Sequence, residues 1–87
     1  MAEKVKINLE APIRDFIVKA LALLVSEKAL ATLKKAHVDK CGYISCSIDR
    51  YDLEQMVGEL SLDANHSKNH YKAEMANVAA AILETYL

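Results

Sequence analysis

Two short stretches of this chain alternate apolar and polar residues, and most of the remainder repeats at the helical period. In "KVKINLE", Val5, Ile7 and Leu9 fall on one side, and Lys4, Lys6 and Asn8 on the other. In "YISCSI", Ile44, Cys46 and Ile48 form one row, and Tyr43, Ser45 and Ser47 form the other. A period of two marks a strand with one face buried. Two such strands are marginal alone in water, so helices must cover them or another chain must extend them.

The segments between them predict helices. Pro12 suits a first helical turn, where its missing N–H is not needed. Ile13, Phe16, Ile17, Ala20, Leu21 and Leu24 then make one apolar face. Val18, Leu23 and Val25 lie off that face and ask for a second packing partner. Further on, Ala29, Leu30, Leu33 and Ala36 fall on nearly the opposite side of a straight helix. The phase shift predicts a break at Ser26, an N-cap residue, with Val25 and Leu30 at staple spacing. Gly42 is expected to end this helix in a left-handed cap. Asp49 is expected to cap the next one, with Ile48 and Leu53 at staple spacing. Leu53, Met56, Val57 and Leu60 form its apolar stripe. "SLDANHSKNH" carries turn residues. The last helix is expected to bury Tyr71, Met75, Val78, Ile82 and Tyr86, with the alanines at 79–81 permitting close approach. The expectation is a mostly α (α+β) fold of about four helices and two short strands, in the order β-α-α-β-α-α. It forms one compact domain over residues 1–87.

Composition adds a constraint on partners. A chain of 87 residues buries only about 60% of its unfolded surface. Yet 53% of its residues are apolar, above the usual share of about 45–50%. Spare apolar residues in a small domain point to a partner or a second copy. The formal charge is −1, from 11 basic and 12 acidic residues. That balance leaves no electrostatic footprint for nucleic acid or an anionic membrane. "MAEKVKINLE" lacks the apolar centre of a signal peptide, and the longest apolar run, "ALALLV", is far short of the roughly 20 residues a membrane span needs. The expectation is a cytoplasmic protein with no membrane partner, whose two cysteines are free thiols.

The motifs of catalysis are missing. Two isolated glycines cannot build a phosphate loop, and there is no nucleophile elbow, His-Glu-x-x-His or Cys-x-x-Cys. Asp49 and Asp52 resemble a carboxylate pair, but capping and the helix dipole explain them. For metal, the weak candidates are Cys41, His66 and His70. His66 and His70 lie four apart and could share a helix face. Cys46 sits between two isoleucines and reads as a small core residue. No resident metal or cofactor is expected, and a small zinc-binding domain is the remotest alternative.

The stretch "LEQMVGELSLDANHSKNHYKAEM" resembles a helix-turn-helix. Leu53 to Leu60 would be its first helix, "SLD" its turn, and Ala64 onward its recognition helix. The resemblance implies DNA contact through residues 64–72, with His66, Ser67, Lys68, Asn69 and Lys72 reaching bases or phosphates. The chain departs from the pattern at Ser61, where such motifs carry glycine, and at Ser67, where an apolar residue should dock the helix. Ser67 also reads as the N-cap of a solvated helix start.

The leading expectation is therefore a small non-enzymatic protein–protein interaction module of the adaptor, antitoxin or inhibitor type. It would associate with itself and with another protein. Val18, Leu23 and Val25 are the expected interface. A DNA-binding regulator is the alternative.

Overall fold

The computed structural model describes residues 3–87. Its two strands, β1 (Lys4–Glu10) and β2 (Tyr43–Asp49), pair antiparallel. Val5 lies opposite Ile48, Ile7 opposite Cys46, and Leu9 opposite Ile44. This register puts both apolar rows on one face, as the alternation requires. Ile7, Leu9, Ile44 and Ile48 are buried there, and Val5 and Cys46 are half-buried. The opposite face carries Lys4, Lys6, Asn8, Glu10, Tyr43, Ser45, Ser47 and Asp49, and all but the half-buried Asp49 stand in solvent.

Four helices complete the described residues in the expected order: α1 (Ala11–Ala20), α2 (Glu27–Lys35), α3 (Arg50–His66) and α4 (His70–Glu84). All six elements contribute to one continuous core.

α1 carries Pro12 in its first turn, as expected, but it ends at Ala20 rather than running to Leu24. The chain turns over Leu21–Leu24, and Leu23 takes a left-handed φ of 70°. Leu24 therefore leaves the apolar face on which the helical period had placed it. The physical reason is the phase shift: a straight continuation could not bury Leu21 together with Ala29, Leu30 and Leu33, and all four are buried. Ser26 does occupy the N-cap position of α2, though its hydroxyl makes no capping bond.

α2 ends at Lys35, so Gly42 does not cap it. Gly42 instead closes a tight turn, with φ of 83° and its N–H bonded to the Asp39 carbonyl at 3.1 Å. The Asp39 carboxylate accepts from Cys41 N–H at 2.8 Å and Tyr43 N–H at 3.0 Å. Aspartate at the first position and glycine at the last is a favoured pattern for such a turn. The C-terminal carbonyls of α2 are met by a side chain from α1. Arg14 Nη1 donates to Leu33 O at 3.0 Å and to Lys34 O and Ala36 O at 3.3 Å.

α3 follows β2 directly, with Asp49 at the N-cap position but making no side-chain cap bond. Leu53, Met56 and Leu60 are buried, and Val57 is half-buried. The helix continues without interruption through Ser61–Asp63, so the expected turn there is helix. The break falls at Ser67–Asn69 instead, and Asn69 rather than Ser67 is the cap: its Oδ1 accepts from Lys72 N–H at 3.1 Å. α3 and α4 run antiparallel. Arg50, at the start of α3, donates from Nη2 to the Leu87 carbonyl at 2.8 Å, just past the end of α4.

The buried face of α4 is Ala76, Ala79, Ala80 and Leu83, not the expected tyrosine-rich face. Tyr71 and Val78 are exposed, while Met75, Ile82 and Tyr86 are half-buried. Alanines at i, i+3, i+4 bring two helix backbones close, and a bulky face would hold them apart. Close packing against α3 thus selects the small residues and turns Tyr71 outward.

Candidate interaction surface

The turn between α1 and α2 leaves an apolar corner. Leu23 is 91% exposed and Leu24 56% exposed. A left-handed backbone is uncommon for a leucine and costs about 1 kcal/mol or more. Val18 and Val25, the other two expected interface residues, are half-buried and pack against the chain's own core. The early end of α1 produces this difference between Val25 and Leu23: the turn folds Val25 back onto the core, while Leu23 points away from it.

Beside this corner lies a groove of about 310 Å³ lined by Phe16, Lys19, Ala20, Asn69, Tyr71 and Lys72. Phe16 and Ala20 are four apart on α1 and share a face. The first turn of α4 supplies Tyr71 and Lys72. Asn69 has its carboxamide oxygen committed to capping. The wall is thus mainly apolar, with two ammonium groups at its rim. Neither Lys19 nor Lys72 forms an ion pair among the described residues, and neither does Glu27, the exposed first residue of α2. The groove joins residues 16–20 to 69–72, which no local pattern connects. The available signal was the alanine stripe, which would have turned Tyr71 outward.

The residues expected to contact DNA are spread over three elements. His66 ends α3, Ser67, Lys68 and Asn69 form the connection, and Lys72 lies in the first turn of α4. All are exposed except the half-buried Ser67. Residues 61–63, the turn of the helix-turn-helix resemblance, lie within α3, and the break at Ser67–Asn69 falls inside the segment the resemblance makes the recognition helix.

The weak metal candidates are also separated. Cys41 is exposed in the turn before β2. His66 and His70 stand on different helices across the Ser67–Asn69 break, so their spacing of four does not align them. His70 Nε2 lies 3.6 Å from Glu74 Oε1. Among the described residues no three His, Cys, Asp or Glu side chains gather as a metal site. Cys46 is half-buried against the core. Burial pushes its thiol pKa up, and the Arg14 guanidinium pulls it partly back. Among the described residues Asp49 Oδ1 is buried without a hydrogen bond, its nearest cation being Lys4 Nζ at 3.7 Å. Asp49 and Asp52 border a crease with Lys4 and Lys28.

Among the described residues no helix is long and apolar enough to cross a membrane. The chain matches no family model, no curated protein and no solved structure.

Proposed function

We propose that this chain is a small protein–protein interaction module without catalytic chemistry of its own, and that it acts as a homo-oligomer. The observation that carries this reading is Leu23, a large apolar side chain 91% exposed on a left-handed backbone. The adjacent Leu24 and the apolar groove extend the same surface. A lone chain in water gains nothing from exposing such a residue, and backbone strain that stability does not explain is a pointer to function. Burying one leucine contributes about 1.5–3 kcal/mol. Two copies of Leu23, 91% exposed, and of Leu24, 56% exposed, together contribute about 4–9 kcal/mol across a two-fold, against an association cost of about 4–15 kcal/mol. A weak, concentration-dependent dimer is the expected result. The same surface serves an adaptor, antitoxin or inhibitor that docks on a larger protein.

Sedimentation across the micromolar range tests this. The wild type should gain mass with concentration, and Leu23→Asp should stay monomeric while keeping its helical signal. Duplex DNA at low ionic strength should leave the mass unchanged. A wild type that remains monomeric at hundreds of micromolar ends the self-association reading. Salt-dependent DNA binding weakened by Lys68→Ala would favour a DNA-binding protein instead.

A further inference from the structure

We propose that the groove formed by Phe16, Ala20 and Tyr71 receives the Leu23–Leu24 corner of a second copy, so that two chains exchange corners about a two-fold axis. This rests on the self-association reading above and adds the mode of pairing and the residues on both sides.

Placement is the first argument. Ala20 lines the groove, and Leu23 follows three residues later, so chain length alone holds them within about 10 Å of each other. A two-fold contact needs donor and acceptor surfaces on the same side of one subunit, because each copy gives and receives at once. A corner next to a groove meets that requirement.

Chemical match is the second argument. The groove, at about 310 Å³, is at the small end of recognition pockets, which span about 300–1,000 Å³. Its apolar lining suits leucine side chains, and the corner presents two of them largely exposed.

Charge is the third argument and the one that selects a second copy over an arbitrary apolar partner. The rim carries Lys19 and Lys72, and neither has an ion-pair partner among the described residues. Glu27 lies four residues past Leu23, exposed and likewise without an ion pair. An exchanged corner carries Glu27 toward the partner's lysine rim. Lys28, the next residue, lines the crease that also holds Asp49 and Asp52 beside β2. Glu74, the nearest acid along α4, has its Oε1 3.6 Å from His70 Nε2.

The test is a set of variants read by sedimentation equilibrium, with circular dichroism to confirm folding. Leu23→Asp removes the corner and Tyr71→Ala removes a groove wall; each should raise the dissociation constant by about tenfold or more. Both side chains are exposed, so the fold should tolerate both changes. Lys72→Glu and Glu27→Lys should each weaken the dimer, and the double variant should return to within about threefold of wild type. If Leu23→Asp dissociates the dimer while Tyr71→Ala and the charge reversals leave it intact, the corner docks elsewhere. That result overturns the exchange and leaves the interaction-module reading standing. A monomeric wild type overturns both.

Discussion

The hydroxyl of Tyr86 bridges the backbone of Asn8: it accepts from Asn8 N–H at 3.2 Å and donates to Asn8 C=O at 3.0 Å. The register explains why those two groups are free to be bridged. Ala11 N–H bonds Gly42 O, and Arg50 N–H bonds Glu3 O, which continues a ladder in which the odd residues of β1 face β2. Asn8 therefore points both its backbone groups outward, along the edge of the ribbon. Open edges invite pairing with other chains, and Tyr86 blocks this one at its middle. Tyr86→Phe keeps the ring and deletes the bridge. It should lower stability by about 0.5–1.5 kcal/mol in urea with an unchanged slope. The Asn8 amide should lose hydrogen-exchange protection selectively. Unchanged protection at Asn8 would mean the bridge contributes nothing in solution.

Arg14 should be the most sensitive charged residue in the chain. Its side chain is 11% exposed, and one terminal nitrogen serves three carbonyls at the end of α2. Helix ends need such partners, and a cation there also complements the helix dipole. Hydrogen bonds involving a charged group contribute about 1.5–3 kcal/mol. Arg14→Met should cost roughly that much, because packing is kept and the donors are lost. Arg14→Lys should fall between wild type and Arg14→Met, since a single ammonium lacks the planar fork. The ion pair with Asp15 at 2.7 Å adds little, because Asp15 is 70% exposed. Asp15→Asn should therefore be nearly neutral in thermal melts. An equal loss from Asp15→Asn and Arg14→Met would assign the effect to the ion pair instead.

The two thiols should behave differently. Cys41 is exposed, whereas Cys46 is half-buried with its pKa raised by burial. Only the thiolate attacks, so a labelling reagent at neutral pH should modify Cys41 well before Cys46. The same shift has a consequence for stability. The folded thiol holds its proton to higher pH than the unfolded thiol. Below the ordinary thiol range, about 8.5, the group contributes no pH dependence. As pH rises through that range toward the raised value, the unfolded state loses its proton first and stability falls. Cys46→Val should flatten the decline above neutral pH relative to wild type. Identical pH profiles for the two proteins would show that the shift is absent.

The element order was legible because strand and helix periods alternate cleanly along the chain. Ile7, Leu9, Ile44 and Ile48 fell where a period of two placed them, and Leu53, Met56 and Leu60 where a helical stripe did. The failures share a cause. Local residue type points to a helix cap at Gly42 and a turn at Ser61–Asp63, yet both outcomes depend on what packs nearby. Ser61–Asp63 remains helical because α4 lies along α3, and only a break at Ser67–Asn69 brings its alanines against it. The buried face of α4 departs from expectation for the same reason: hydrophobicity favours Tyr71 and Val78, and backbone approach favours Ala76 and Ala79. The groove and the reach of Arg14 to α2 join residues far apart in sequence, beyond what periodicity encodes.

Among the described residues two positions, Leu23 and Gly42, take left-handed backbone, and they should respond to substitution in opposite directions. Gly42, at φ 83°, has nothing within 4 Å of a built Cβ, so Gly42→Ala meets no steric clash and carries only the conformational cost. A loss of about 1 kcal/mol is expected. Leu23, at φ 70°, already bears that cost. Leu23→Gly should relieve it, with little burial lost because the side chain is 91% exposed. The monomer should gain up to about 1 kcal/mol, reduced by the greater entropy of glycine in the unfolded chain. The same change removes the corner's outermost apolar group and should weaken self-association. A variant that melts at higher temperature at low concentration yet dimerises less is the signature of strain retained for contact rather than for folding. Concentration-dependent melts of wild type and Leu23→Gly separate the two effects. If Leu23→Gly lowers stability in the dilute monomer, the leucine serves the fold itself.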